Sequence, residues 1–211
     1  MARRQDPFEL EITPELIVRA YQAGIFPMSE DAEDENLFWV SPELRGIIPL
    51  DGFHLSTSLR KAIRKSGFAV RVDTDFPAVI EACASVGADR DTTWINRTIR
   101  SVYGELFNRG IAHTVEVWEG DDLVGGLYGL AIGGAFFGES MFHRRTNASK
   151  MAMAHLVDRL RAGGFVLLDT QFLTDHLASL GGVEIPREDY EERLAAALGH
   201  TGDWSAWDRQ P

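Results

Sequence analysis

Cysteine is all but absent: the 211-residue chain has one, Cys83. A lone cysteine excludes an intrachain disulfide and a multi-cysteine zinc site, and it fits a reducing compartment, the cytoplasm. Long apolar runs are missing as well. No stretch approaches the ~20 residues that a membrane-spanning helix needs, so no membrane partner is expected. The opening Met1-Ala2-Arg3-Arg4-Gln5-Asp6-Pro7 has basic residues but not the ~7–15 apolar residues that follow them in a secretory signal. Positive charge is scarce: 21 Lys and Arg stand against 32 Asp and Glu, a net charge of -11. Such a surface repels phosphate, which excludes nonspecific coating of nucleic acid and confines any such contact to a local patch. The histidines (54, 113, 143, 155, 176 and 200) show neither H-E-x-x-H nor paired ligand spacing, so no metal is expected.

What is present reads as an ordinary globular chain, 45% hydrophobic and 25% charged, with no internal repeat. Thr13-Pro14-Glu15 is a helix start, Leu16, Ile17, Ala20 and Tyr21 recur at helical spacing, and Gly24 is a stop. Phe38-Trp39-Val40 is a short strand ended by Ser41-Pro42, and a boundary falls near residue 44: a small N-terminal lobe (1–44), then a main domain (45–211). There, a helix from Leu55, a strand at 70–72 and helices over about 76–85 and 97–108 are expected. The period then changes. Strands at 113–118, 123–132 and 135–142 are joined by Glu119-Gly120-Asp121-Asp122 and Gly133-Gly134 turns. Interior Gly125, Gly126 and Gly129 suggest a bulge or the close approach of a ligand. A helix from Asn147, a buried strand at 165–169, a helix near 175–180 and a last helix at 187–198 follow. This order is α+β and matches an N-acyltransferase-like architecture, a mostly antiparallel sheet flanked by helices.

Few residues carry chemistry on their own. Cys83 falls in an expected helix and reads as core. Gly138-Glu139-Ser140-Met141-Phe142 has Phe142 where a nucleophile elbow closes on glycine, which argues against a serine hydrolase. The segment 145–150 could cradle a phosphate at a helix start, but Lys150 crowds it, which argues against coenzyme A. Asp169 ends an apolar strand, and Gln171 would share its face. Glu139 lies in another apolar strand. A bare carboxylate in either place is costly unless paired, so these residues either cross-link neighbouring elements or form an anionic pocket for a cationic amine. Arg60, Lys61, Arg64 and Lys65 on one short helix are either a solvated face or a phosphate footprint. Of the aromatics, Trp94 follows the polar loop 89–93 and is the best placed to face a ligand.

The chain resembles the bacterial leucyl/phenylalanyl-tRNA–protein transferases. The segments that carry the likeness include 20–27 (AYQAGIFP), Thr93-Trp94-Ile95, 115–118 (VEVW), 123–129 (LVGGLYG), 138–142 (GESMF), 147–150 (NASK), 168–171 (LDTQ), 178–181 (ASLG) and 184–187 (EIPR). They run in order from about residue 13 to 198. The resemblance implies transfer of Leu, Phe or sometimes Met from aminoacyl-tRNA to proteins with N-terminal Arg or Lys, which marks them for N-degron degradation. It implies no cofactor, because the aminoacyl ester is already activated. By the same resemblance, Asp169 and Gln171 sit at the incoming amine, with Asp169 polarising or orienting Gln171, while Glu139 and Ser140 help hold substrate and Thr174 lies near the site. Trp94 and Phe136 would contact the aminoacyl-adenosine end and Leu127 the apolar pocket, and Arg60, Lys61, Arg64 and Lys65 would touch the tRNA acceptor stem. Met28, Val40, Thr170 and Thr174 depart from common versions of the motifs, and the aromatic contacts missing at Met28 and Val40 bear on the choice among Leu, Phe and Met. Two other readings remain on the sequence alone: a CoA-dependent N-acetyltransferase, and a non-catalytic adaptor that recognises N-terminal Arg or Lys.

Overall fold

The computed structural model describes residues 11–34, 36–85 and 92–209, so the opening segment 1–7 and loop residues 89–91 lie outside the described residues. Helix α1 (Pro14–Gln22) begins as its sequence dictates. The Thr13 side chain accepts from the Leu16 amide at 3.2 Å, and Pro14 occupies the first turn, where its missing N–H costs nothing. Strands β1 (Phe26–Met28) and β2 (Phe38–Val40) then pair as a small antiparallel sheet.

The remaining elements are β3 (Leu44–Ile47), α2 (Thr57–Lys65), β4 (Ala69–Val72), α3 (Phe76–Ala84), α4 (Arg97–Asn108), β5 (Ala112–Glu119), β6 (Asp122–Ile132), β7 (Ala135–His143), α5 (Ala148–Ala162), β8 (Leu167–Gln171), α6 (Asp175–Ala178), β9 (Val183–Pro186) and α7 (Arg187–Leu198). The large sheet has the order β4-β5-β6-β7-β8-β3-β9. Every pairing in it is antiparallel except β7 with β8. No helix among the described residues is long and apolar enough to cross a membrane. The fold is therefore α+β, a small N-terminal region followed by a large sheet flanked by helices.

Alternation along the central strands builds two cores, one on each face. Tyr128 and Phe137 pack with Ile17, Tyr21, Ile99 and Tyr103, whereas Leu127 and Phe136 pack with Met153, Leu156 and Leu160 of α5. The interior glycines have two separate causes. A Cβ on Gly125 would lie 2.5 Å from Cβ of Ala148, so the start of α5 packs directly on the sheet there. A Cβ on Gly129 would lie 2.3 Å from the Phe137 carbonyl oxygen, at a bulge. In that bulge Tyr128 faces Ser140 and Gly129 faces Gly138, which leaves Glu139 as the extra residue of β7.

Strands β3 and β9 have no counterpart in the sequence reading. Both are four residues long, too short to establish alternation, and they form only by pairing with each other, with β3 also on β8. Parallel pairing of β7 with β8 covers only Ala135–Leu167, Phe136–Leu168 and Phe137–Asp169. Past Phe137 the two strands part.

Candidate active site

A cavity of about 410 Å³ lies where β7 and β8 separate. Met28, Leu127, Met141, Met153 and Leu156 give it an apolar wall, while Glu139, Ser140, Gln171 and Thr174 supply polar groups. Trp94 also borders it. Six of the residues expected to meet substrate are thus brought together, from β6, β7, β8 and the loops before α4 and α6.

Two expected contacts are different. Phe136 does not line the cavity. It sits where β7 is still paired with β8, is fully buried, and stacks on Trp204 with ring centroids 5.4 Å apart. Its expected contact with the aminoacyl-adenosine end is therefore corrected to a core role. Asp169 is also fully buried and outside the lining. Its Oδ1 accepts from Arg45 Nε at 2.9 Å and from the Gln171 backbone N–H at 2.8 Å, and its Oδ2 accepts from Arg45 Nη2 at 2.6 Å and Tyr190 OH at 2.8 Å. The carboxylate therefore meets Gln171 through the main chain and not through the carboxamide. Burial alone would make Arg45 a stronger acid, but the hydrogen bonds and charge of Asp169 outweigh it and hold the guanidinium protonated.

Gln171 and Glu139 each have hydrogen-bonding capacity left. Gln171 is buried, and its Nε2 is sealed from solvent without a hydrogen-bond partner. Glu139 Oε2 accepts from Tyr103 OH at 3.2 Å, and Tyr103 shares a 2.6 Å hydrogen bond with Tyr21. Its Oε1 is sealed and unpartnered. Burial pushes the Glu139 carboxyl up to about 8, against the lowering effect of the two tyrosine hydroxyls, so it is mainly neutral at pH 7. Burial also raises both phenols far above their ordinary value, helped by the nearby Glu139 charge.

A second polar group in the lining was not singled out by sequence. His143, Ser149 and His176 border the cavity, and His176 Nε2 has no partner. Burial first, then the charges of Lys150 and His143, lowers the affinity of His176 for a proton. The basic helix is elsewhere. Arg60, Lys61, Arg64 and Lys65 are exposed on α2, none lines the cavity, and none forms an ion pair with a described residue.

Sequence reasoning missed Arg45, Gly46 and Tyr190. The signal for Arg45 was available: it interrupts the run 44–48 (LRGII) much as Asp169 interrupts the run 165–169 (FVLLD), and two opposite charges in apolar strands call for each other. Tyr190 gave no such signal, because a tyrosine on a helix stripe reads as core.

Residues 47–195 match the family model described as leucyl/phenylalanyl-tRNA protein transferase, and residues 11–43 match the model of its N-terminal domain. Among solved structures, a C-terminal DUF2156 domain from Agrobacterium fabrum is 13% identical, with 95% of this chain and 63% of that one covered and a TM-score of 0.40. L-PGS from Bacillus licheniformis is 12% identical, with 78% and 55% covered and a TM-score of 0.42. FemX is 10% identical, with 84% and 70% covered and a TM-score of 0.46. The chain spans less than two thirds of the length of the first two. Because the two family models match in order across most of its length, the chain belongs to the leucyl/phenylalanyl-tRNA protein transferase family.

Proposed function

We propose that the protein transfers Leu or Phe, and also Met, from the 3′ end of aminoacyl-tRNA to the α-amine of proteins with N-terminal Arg or Lys, which marks them for degradation. One observation carries this reading beyond family membership: Gln171 Nε2 and Glu139 Oε1 stand unpaired beside an apolar cavity. The apolar wall takes the aminoacyl side chain. Met28, Met141 and Met153 are unbranched and adaptable, which suits acceptance of more than one such side chain.

In the reaction the neutral α-amine attacks the ester carbonyl carbon, the ester C–O bond breaks, and the ribose hydroxyl leaves with a proton as the amide forms. The ester supplies the driving force, so the step requires no nucleotide or coenzyme A. What remains for the protein is orientation and stabilisation of the developing oxyanion. The Gln171 carboxamide can accept from the amine through its oxygen and donate Nε2–H toward the carbonyl oxygen. Glu139 accepts from the cationic N-terminal residue, and such a cation favours its ionised form. Trp94 borders the adenosine end, with Ser140 and Thr174 as further polar contacts. Arg60, Lys61, Arg64 and Lys65 take the acceptor-stem backbone, a positioning role without sequence readout.

The test is transfer of labelled Leu from Leu-tRNA to a peptide beginning with Arg, with labelled acetyl-CoA as a parallel donor. Label from Leu-tRNA alone is the expected result. Label from acetyl-CoA alone makes the protein an acetyltransferase, and peptide binding without any product makes it an adaptor.

A further inference from the structure

We propose that Arg45 is the positioning residue that sets the working conformation of Gln171, acting through Asp169; the inference rests on the reading of the cavity as an aminoacyl-transfer site. Gln171 has a φ of +58°. The Phe172 N–H donates to the Thr170 carbonyl at 2.6 Å, which closes a three-residue turn around Gln171. With a positive central φ this is the rarer, strained form of such a turn, and it persists only where its surroundings over-determine it.

Those surroundings are specific. The Gln171 N–H is held by Asp169 Oδ1 at 2.8 Å. On the facing strand, a Cβ at Gly46 would stand 2.6 Å from the Phe172 carbonyl carbon, so only glycine leaves room for the turn. A carboxylate offers about four lone-pair sites. Two guanidinium N–H groups, the Tyr190 hydroxyl and the Gln171 N–H fill them, two on each oxygen. No site is left for the Gln171 carboxamide, so a relay from Asp169 through that side chain has no acceptor to use. Arg45 is itself fixed: its guanidinium carbon lies 4.6 Å from the Phe26 ring centroid and 4.4 Å from that of Tyr190, and Nη1 donates to the Gly24 carbonyl at 3.0 Å. The fork thus ties β1, β3 and α7 to one acidic residue, and that residue holds the strained amide. Without the bidentate fork the buried carboxylate is free to rotate, the Gln171 N–H loses its acceptor, and the turn relaxes to extended backbone. Lysine, a point charge, cannot restore both oxygens.

The experiment is a double-mutant cycle of Arg45→Lys and Gln171→Ala, read as kcat and KM for Leu-tRNA, with a crystal structure of Arg45→Lys. Arg45→Lys is expected to lower kcat on the order of 10²-fold while KM moves less than about 3-fold, as for a misplaced reactive group. In the Gln171→Ala background the same change should cost less than about 3-fold, because both act through one carboxamide. Independent, multiplicative losses would make Arg45 a merely structural residue and overturn the proposal. So would a crystal structure of Arg45→Lys that keeps Gln171 at positive φ. Should Arg45→Lys fail to fold, Tyr190→Phe removes one of the four bonds, and its smaller kcat loss must likewise vanish in the Gln171→Ala background. Absence of transfer by the wild-type enzyme would overturn the function proposed above, and the Gln171 backbone in the Arg45 or Tyr190 variant would still decide the role of Arg45.

Discussion

Three buried or shielded carboxylates show how one residue type serves different ends. Glu116 is fully buried and accepts from the Thr74 and Asp75 amides, both at 2.8 Å, from Thr114 OH at 2.7 Å, from Trp118 Nε1 at 3.1 Å and from Thr74 OH. Burial would raise its pKa, yet these bonds together lower it, and it serves to fix the start of α3 on β5. Asp169 is equally satisfied, and its removal has a predictable cost. Asp169→Ala leaves the Arg45 guanidinium buried and unpaired, so about 3–5 kcal/mol of stability should be lost, read by urea denaturation. Activity losses in that variant need correction for unfolded protein, which is why Arg45→Lys is the cleaner probe. Glu139 is the incomplete one. Its pKa rises from 4.5 unfolded to about 8 folded, so between those values the native state holds the extra proton, and stability falls as pH rises, by at most about 1.4 kcal/mol per unit. Glu139→Gln should abolish that slope in thermal melts taken from pH 5 to 8. It should also remove the pH-dependent fall in KM expected for an Arg-peptide as Glu139 ionises. An unchanged slope would show that Glu139 does not titrate in this range.

At the scale of elements, local chemistry was legible and distant pairing was not. The positions of α4 and α7 follow from helical periodicity, and β5 to β7 from alternation and turn residues. Strands β3 and β9 escaped because nothing local marks them. The Arg45–Asp169 pair escaped with β3, since 124 residues separate its members. Gln171 was placed on the face of Asp169 by simple alternation, but its positive φ turns the backbone there, and no pattern of apolar residues encodes that. Helix α2 offers an element-scale test. It has no fully buried residue, so changing its four cations should leave the fold intact. Replacing Arg60, Lys61, Arg64 and Lys65 with Ala should weaken tRNA binding and reduce the magnitude of the log K against log salt slope by up to about 3 units, with KM for the Arg-peptide unchanged. An unchanged slope would make α2 an ordinary solvated face.

At the scale of the whole molecule, the site draws on distant parts of the chain: Phe26 and Met28 come from the N-terminal sheet, and Asp169 is held from α7. The C-terminal segment stands outside this arrangement and has a separable task. Trp204 stacks on His113 at 4.3 Å and on Phe136 at 5.4 Å, donates from Nε1 to Asp73 at 2.8 Å, and accepts from Arg159 Nη1 at 2.7 Å through its carbonyl. Asp208 then pairs with both terminal nitrogens of Arg159, at 2.8 and 2.5 Å. This seals the α5 face beneath Phe136, the residue for which the family resemblance implied a substrate contact. Trp204→Ala should therefore cost about 3–5 kcal/mol of stability, mainly through lost packing, since Asp73 Oδ2 keeps His113 Nδ1 at 2.8 Å as a partner. At a temperature where the variant stays folded, kcat and KM should remain near wild type, because Trp204 does not border the cavity. A large fall in kcat without loss of stability would return Phe136 and its stacking partner to the active site.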